Sequence, residues 1–188
     1  MRVPTPDEMR YLVYTTMAYG AQGISYYVYS ASGHTGMIAH ADGTPTVLYE
    51  ALKSLNREFV AITAELQRSQ CLGVYHAGMF PPGTEPIPKK APFQFDPPVT
   101  TMDYSPPQPV KGALLGFFGP APKGKKSSRP THAIIVNLDY NAEAVLGLEG
   151  ARRLELFDSA SGKWCKTSSK HALLKLPPGA GKLVRIKR

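Results

Sequence analysis

Thirteen of the eighteen prolines in this chain fall between Met79 and Pro130. Proline fixes φ, lacks a backbone N–H, and interrupts both helices and central strands. No long helix or wide sheet can run through that stretch, so regular structure divides into a part before it and a part after it. Inside it, the apolar run Ala113-Leu114-Leu115-Gly116-Phe117-Phe118-Gly119 predicts one strand.

The part before the prolines predicts helix, strand, loop and helix. Thr5 is placed to cap a helix, Pro6 suits its first position, and Glu8 completes a capping box. Met9, Leu12, Val13 and Met17 follow at helical spacing, and Tyr19-Gly20-Ala21-Gln22-Gly23 ends the run. Ile24 to Tyr29 is almost wholly apolar or aromatic and predicts a short buried strand. A loop through Asp42-Gly43 leads to Thr44-Pro45, a second expected cap with proline after it. Leu48, Leu52, Leu55, Phe59, Ile62 and Leu66 then stripe a second helix. A strand like 24–29 is normally paired on both edges, yet nothing else in residues 1–70 can pair with it. Left open, its edges predict self-association.

After Cys71 the pattern favours strands. Residues 71–78, His132–Leu138, Ala144–Leu148 and the alternating run Arg153–Phe157 are expected strands. Asp158-Ser159-Ala160-Ser161-Gly162 turns the chain into Lys163-Trp164-Cys165. Leu173, Leu174 and Leu176 precede the Pro177-Pro178-Gly179-Ala180-Gly181 turn, and Leu183, Val184 and Ile186 follow it. Hairpin connections of this kind predict an antiparallel β-sandwich or half-barrel. The fold class expected for the whole chain is α+β.

Charge and cysteine content narrow the functional classes. Lys and Arg outnumber Asp and Glu by 22 to 14, and the excess lies beyond residue 70. Its densest cluster, Lys123 to Lys126 with Arg129, sits in a Pro/Gly/Ser loop without the interleaved aromatics of a base-stacking surface, so no nucleic-acid partner is expected. No run reaches the roughly 18 to 20 apolar residues of a membrane span. The opening residues contain no signal peptide, and the compartment stays open. Cys71 and Cys165 match no metal or redox spacing and are expected as two thiols.

The first part carries a resemblance. Arg2-x-Pro4-Thr5-x-x-Glu8-x-Arg10, Ala18-Tyr19-Gly20-Ala21-x-Gly23-Ile24-x-Tyr26-Tyr27, Asp42-Gly43-x-Pro45-Thr46-x-x-Tyr49 and Leu55-Asn56-x-Glu58 occur in order. Together they resemble the end of the catalytic barrel of retaining (β/α)8-barrel glycoside hydrolases of the β-galactosidase-like groups. Asn137, Leu156-Phe157-Asp158, Gly162-Lys163-Trp164 and Leu176-Pro177-Pro178-Gly179-x-Gly181 are similar to the β-domain that follows such barrels.

The resemblance implies that residues 1–70 are helix 7, strand 8 and helix 8 of a barrel. Residues 71–188 would then be a β-sandwich-like C-terminal domain, entered through the proline-rich connection 79–130. It implies a glycoside hydrolase acting on O-glycosidic bonds, with carbohydrate as partner and no metal or other cofactor. Such enzymes use two carboxylates about 5 Å apart, which the resemblance puts on earlier barrel strands, upstream of Met1. No catalytic residue carries over, and the chain alone is expected to be inactive.

Tyr27, Tyr29 and His34 would sit at the mouth of the eighth strand as substrate contacts, Tyr29 foremost because it comes last. The tyrosines would equally serve as packing between layers. The alternative for the whole chain is a non-catalytic carbohydrate-binding or structural β-domain, with Trp164 either a sugar platform or a half-buried sandwich residue. His34, His40 and Asp42 lack the spacing to converge on a metal, and Ser32, Ser127 and Ser128 lack a base and orienting partner. Gly20-x-x-Gly23 follows a helix and precedes an expected strand, the reverse of a dinucleotide fingerprint.

Overall fold

The computed structural model describes residues 3–27, 29–30, 38–99, 112–121 and 128–187. Among them are two helices, α1 (Pro6–Ala18) and α2 (Val47–Leu66). The strands are β1 (Gln70–Ala77), β2 (Phe93–Phe95), β3 (Ala113–Gly119), β4 (His132–Asn137), β5 (Ala144–Gly150), β6 (Leu154–Asp158), β7 (Lys163–Lys166), β8 (His171–Leu176) and β9 (Gly181–Ile186). Every pairing between strands is antiparallel. The fold is α+β, with a sandwich-like β part.

Three layers account for the burial. A six-stranded sheet in the order β1-β3-β4-β9-β6-β7 lies in the middle, with a three-stranded sheet β2-β5-β8 on one face and the two helices on the other. Side chains alternate across a strand, and the middle sheet uses both sides. Leu114, Phe118, Ile134, Val136 and Leu183 face Met17, Leu48, Leu55 and Phe59 of the helices. Leu115, Phe117, Ala133, Ile135 and Val184 face Phe93, Phe95, Leu146, Leu148 and Leu174 of the small sheet. This is why β3 and β4 read as unbroken apolar runs. Residues from both the helical and the β segment therefore fill the first of these cores. Each large side chain buried there contributes about 1.5–3 kcal/mol.

The start of α1 follows the sequence. The Thr5 hydroxyl accepts from Glu8 N–H at 3.2 Å, and the Glu8 carboxylate accepts from Thr5 N–H at 2.8 Å. The helix runs over the middle sheet and ends where Gly116 of β3 passes beneath Ala18. A Cβ on Gly116 would lie 2.0 Å from the Ala18 carbonyl oxygen, so only glycine permits that approach.

Three expectations change. Residues 24–27 form no strand, and Val28 lies outside the described residues; the self-association expected of strand 24–29 thus has no strand edge there to act through. The physical reason is the one the sequence supplied: among the described residues no strand pairs with that segment. Second, α2 begins after Thr46 rather than Thr44. Asp42 Oδ1 accepts from the Thr44 N–H at 2.9 Å and from its hydroxyl at 2.6 Å, and Pro45 bridges Ala39, so the chain stays extended two residues longer. Thr46 donates its hydroxyl to Ile38 O at 3.1 Å instead of capping the helix. Third, β2 arises inside the proline-rich stretch. Its three residues fit between Pro92 and Pro97, and Phe93 and Phe95 are buried against β5.

Asn137 is buried and pins two turns together. Its side-chain amide donates to Ala142 O at 2.8 Å and to Pro177 O at 3.2 Å, while its Oδ1 accepts from Asp139 N–H at 2.9 Å.

Candidate functional site

The segment that joins the helices is held from below by polar clamps. Tyr26 donates its hydroxyl to Asn56 Oδ1 at 2.6 Å, and Tyr14 donates to Glu58 Oε2 at 2.7 Å. Burial, with the Glu58 charge second, pushes the Tyr14 phenol well above its usual range. Burial also raises Tyr26. Asn56 and Glu58, two residues of the resemblance, thus act as acceptors that fix the chain before and after α1's end.

Above the clamps lie two of the expected substrate contacts. Tyr27 is 86% exposed and Tyr29 61% exposed. Tyr29 O accepts from Ile38 N at 3.2 Å and Ala39 N at 2.9 Å. His34 lies outside the described residues. Tyr27 borders an open cleft of about 410 Å³ together with Met9, Leu12, Ile24 and Tyr26. Tyr29 does not line it. Among the described residues no charged side chain lines this cleft, so it can hold an apolar or ring-shaped surface but offers no carboxylate for glycoside hydrolysis.

Trp164 is already engaged. Its indole N–H donates to Glu65 Oε2 at 2.8 Å, tying β7 to α2. The Arg185 guanidinium stands 4.0 Å from the ring centre, Phe157 packs at 5.1 Å, and Arg185 Nε donates to the buried Glu155 at 2.7 Å. Cys71 and Cys165 are both free thiols.

Two groupings escaped the sequence reading. Asp96, Glu149 and His171 bring one ligand atom each to within 4.8 Å of one another. They come from adjacent strands, Glu149 directly opposite His171 in the β5–β8 register. His171 Nδ1 faces Asp96 at 3.5 Å and its Nε2 faces Glu149 at 3.9 Å. The Lys170 ammonium bonds Glu149 and holds that carboxyl below its ordinary range. The cluster is the described trio able to ligate a metal, yet Lys170 already engages Glu149, and Asp96 and His171 are exposed. Register in a small sheet was the missing signal, because β2 was not anticipated.

The other grouping surrounds His76, at the end of β1. It is 5% exposed, and burial holds its pKa below the usual 6.5. Its Nε2 lies 3.5 Å from the Tyr19 hydroxyl, and its Nδ1 has no hydrogen-bond partner. A lone histidine in an apolar strand gave no sign of this in the sequence.

No protein-family model matches the chain, nor does any curated protein or solved structure. Among the described residues no helix is long and apolar enough to cross a membrane.

Proposed function

We propose that this chain is the C-terminal part of a retaining (β/α)8-barrel glycoside hydrolase of β-galactosidase-like type. In this reading α1, the 24–29 segment and α2 belong to the end of the barrel, and the two sheets form its non-catalytic domain. The observation that carries it is the cleft beside Tyr27. Leu12, Ile24 and the highly exposed Tyr27 present an uncharged, apolar surface beside α1. Further barrel strands would cover such a surface, and their edges would pair with residues 24–27, which form no strand among the described residues.

Catalysis would then be supplied by carboxylates outside this sequence, while Tyr27, Tyr29 and His34 border the sugar. The neighbouring carboxylates Asp96 and Glu149 face His171 and Lys170, and neither lines one of the clefts described here. A stand-alone module that stacks sugar on Trp164 is less favoured, because Arg185 already covers that ring.

The test is the coding sequence upstream of Met1, expressed with these residues as one chain. The expected result is hydrolysis of a chromogenic β-galactoside by the longer chain and none by the present one. An upstream frame without a glutamate-bearing barrel, or turnover by the present chain that a point mutation within it abolishes, overturns the proposal.

A further inference from the structure

A larger cleft, about 790 Å³, opens on the other flank of α1, between the end of that helix and the loop that follows β1. It shares only Thr16 with the Tyr27 cleft. Its size falls within the roughly 300–1,000 Å³ of small-molecule sites. Met79, Pro81, Pro82, Leu114 and Leu138 give it apolar walls. Its polar side chains are Tyr11, Tyr19, Thr15, Thr16, Thr84 and His76, and among the described residues no Asp, Glu, Lys or Arg lines it.

The chemistry of these groups selects a ligand class. A charged ligand would enter with no counter-charge to offset its desolvation. His76 is buried without a carboxylate partner among the cleft residues, so the imidazole meets a ligand in its neutral form. The 3.5 Å separation between Nε2 and the Tyr19 hydroxyl is the outer limit of a hydrogen bond and leaves both atoms capacity for another. A ligand hydroxyl both donates and accepts, so it satisfies this pair whichever tautomer His76 adopts. Tyr19 is more than half exposed, and Tyr11 stands edge-on to Tyr140 with ring centres 5.7 Å apart. Such rings accept the C–H face of a saturated ring while phenols and threonines meet its hydroxyls.

The geometry points to a binding site for a neutral sugar ring in this cleft, with Tyr19 and His76 as its recognition pair. The site is independent of the assignment proposed above, because it uses only groups that line this cavity.

The experiment is a titration of the purified chain followed by the ring signals of His76 in NMR. The probes are the methyl β-glycosides of glucose, galactose and mannose, with glucose 6-phosphate as the anionic comparison. At least one neutral glycoside is expected to shift the His76 signals saturably, on the ~1 mM scale of a few hydrogen bonds and one stacking contact. Tyr19→Ala, at an exposed position, is expected to weaken that binding about tenfold, and Tyr27→Ala to leave it unchanged. No shift with any of the three glycosides overturns the site. So does equal or tighter binding of glucose 6-phosphate, or loss of binding in Tyr27→Ala with retention in Tyr19→Ala.

Discussion

Tyr14 and Glu58 meet 44 positions apart in sequence, and the 2.7 Å bond between them closes the angle between α1 and α2. With the phenol buried and a carboxylate as its acceptor, the neutral hydroxyl is strongly favoured, so Tyr14 should stay protonated in an alkaline ultraviolet titration well beyond the usual phenol range. Tyr14→Phe removes the donor and leaves the carboxylate unpaired; a loss of about 1.5–3 kcal/mol is expected, read from urea unfolding. Unchanged stability would mean that water replaces the phenol without cost. Trp164→Phe keeps an aromatic ring beneath Arg185 but drops the bond to Glu65, and about 1 kcal/mol should be lost. At this scale the sequence displayed identities but not partners. Asn56 and Glu58 stood out in the resemblance, yet their roles depend on Tyr26 and Tyr14, which helical spacing alone cannot bring to them. His76 and the Asp96–Glu149–His171 trio stayed hidden for a like reason: the first meets Tyr19 only where the end of α1 packs by β1, and the second depends on the β5–β8 register.

Elements were more legible where local chemistry decides them. The capping box at Thr5 and Glu8 needs only residues three apart and formed as expected; Thr5→Ala should cost about 1 kcal/mol in a urea titration. The apolar runs of β3 and β4 announced strands covered on both faces. The irregular path at 24–27 and the later start of α2 both came from what lies beside them, a missing neighbour in one case and the Asp42 turn with the Ala39–Pro45 bridge in the other. The seat of α1 is the sharpest test at this scale. Gly116→Ala drives a methyl group into the Ala18 carbonyl, so the last turn of α1 must lift from β3. A loss of about 1–3 kcal/mol is expected, together with faster amide exchange at the end of α1. Wild-type exchange in that variant would mean that the sheet yields instead.

The molecule as a whole should show two separate acid responses. Because burial lowers the His76 pKa, the unfolded chain takes up this proton near pH 6.5 while the folded chain resists it. Its stability contribution is complete above 6.5, shrinks as pH falls from there to the folded value, and changes no further below that. Asp42, Asp158 and Glu149 behave differently. Hydrogen bonds from Thr44, Ser161 and Lys170 lower their pKa values, so their contribution persists above the ordinary 3.8 or 4.5 and is lost as pH falls through the folded values. Urea unfolding from about pH 7 to about pH 5 should therefore show a slope that His76→Phe flattens, leaving the lower limb in place; a slope that survives this variant would assign it elsewhere. The order of the middle sheet bears on how the protein is made. β9 lies between β4 and β6, although every other strand precedes it along the chain. During synthesis, β1, β3 and β4 can pair as one piece and β6 with β7 as another, each with a bare edge turned toward the gap. The newborn chain must carry both edges open until β9 leaves the ribosome, so translation that stalls just before β9 is as damaging to this fold as a lesion in its centre.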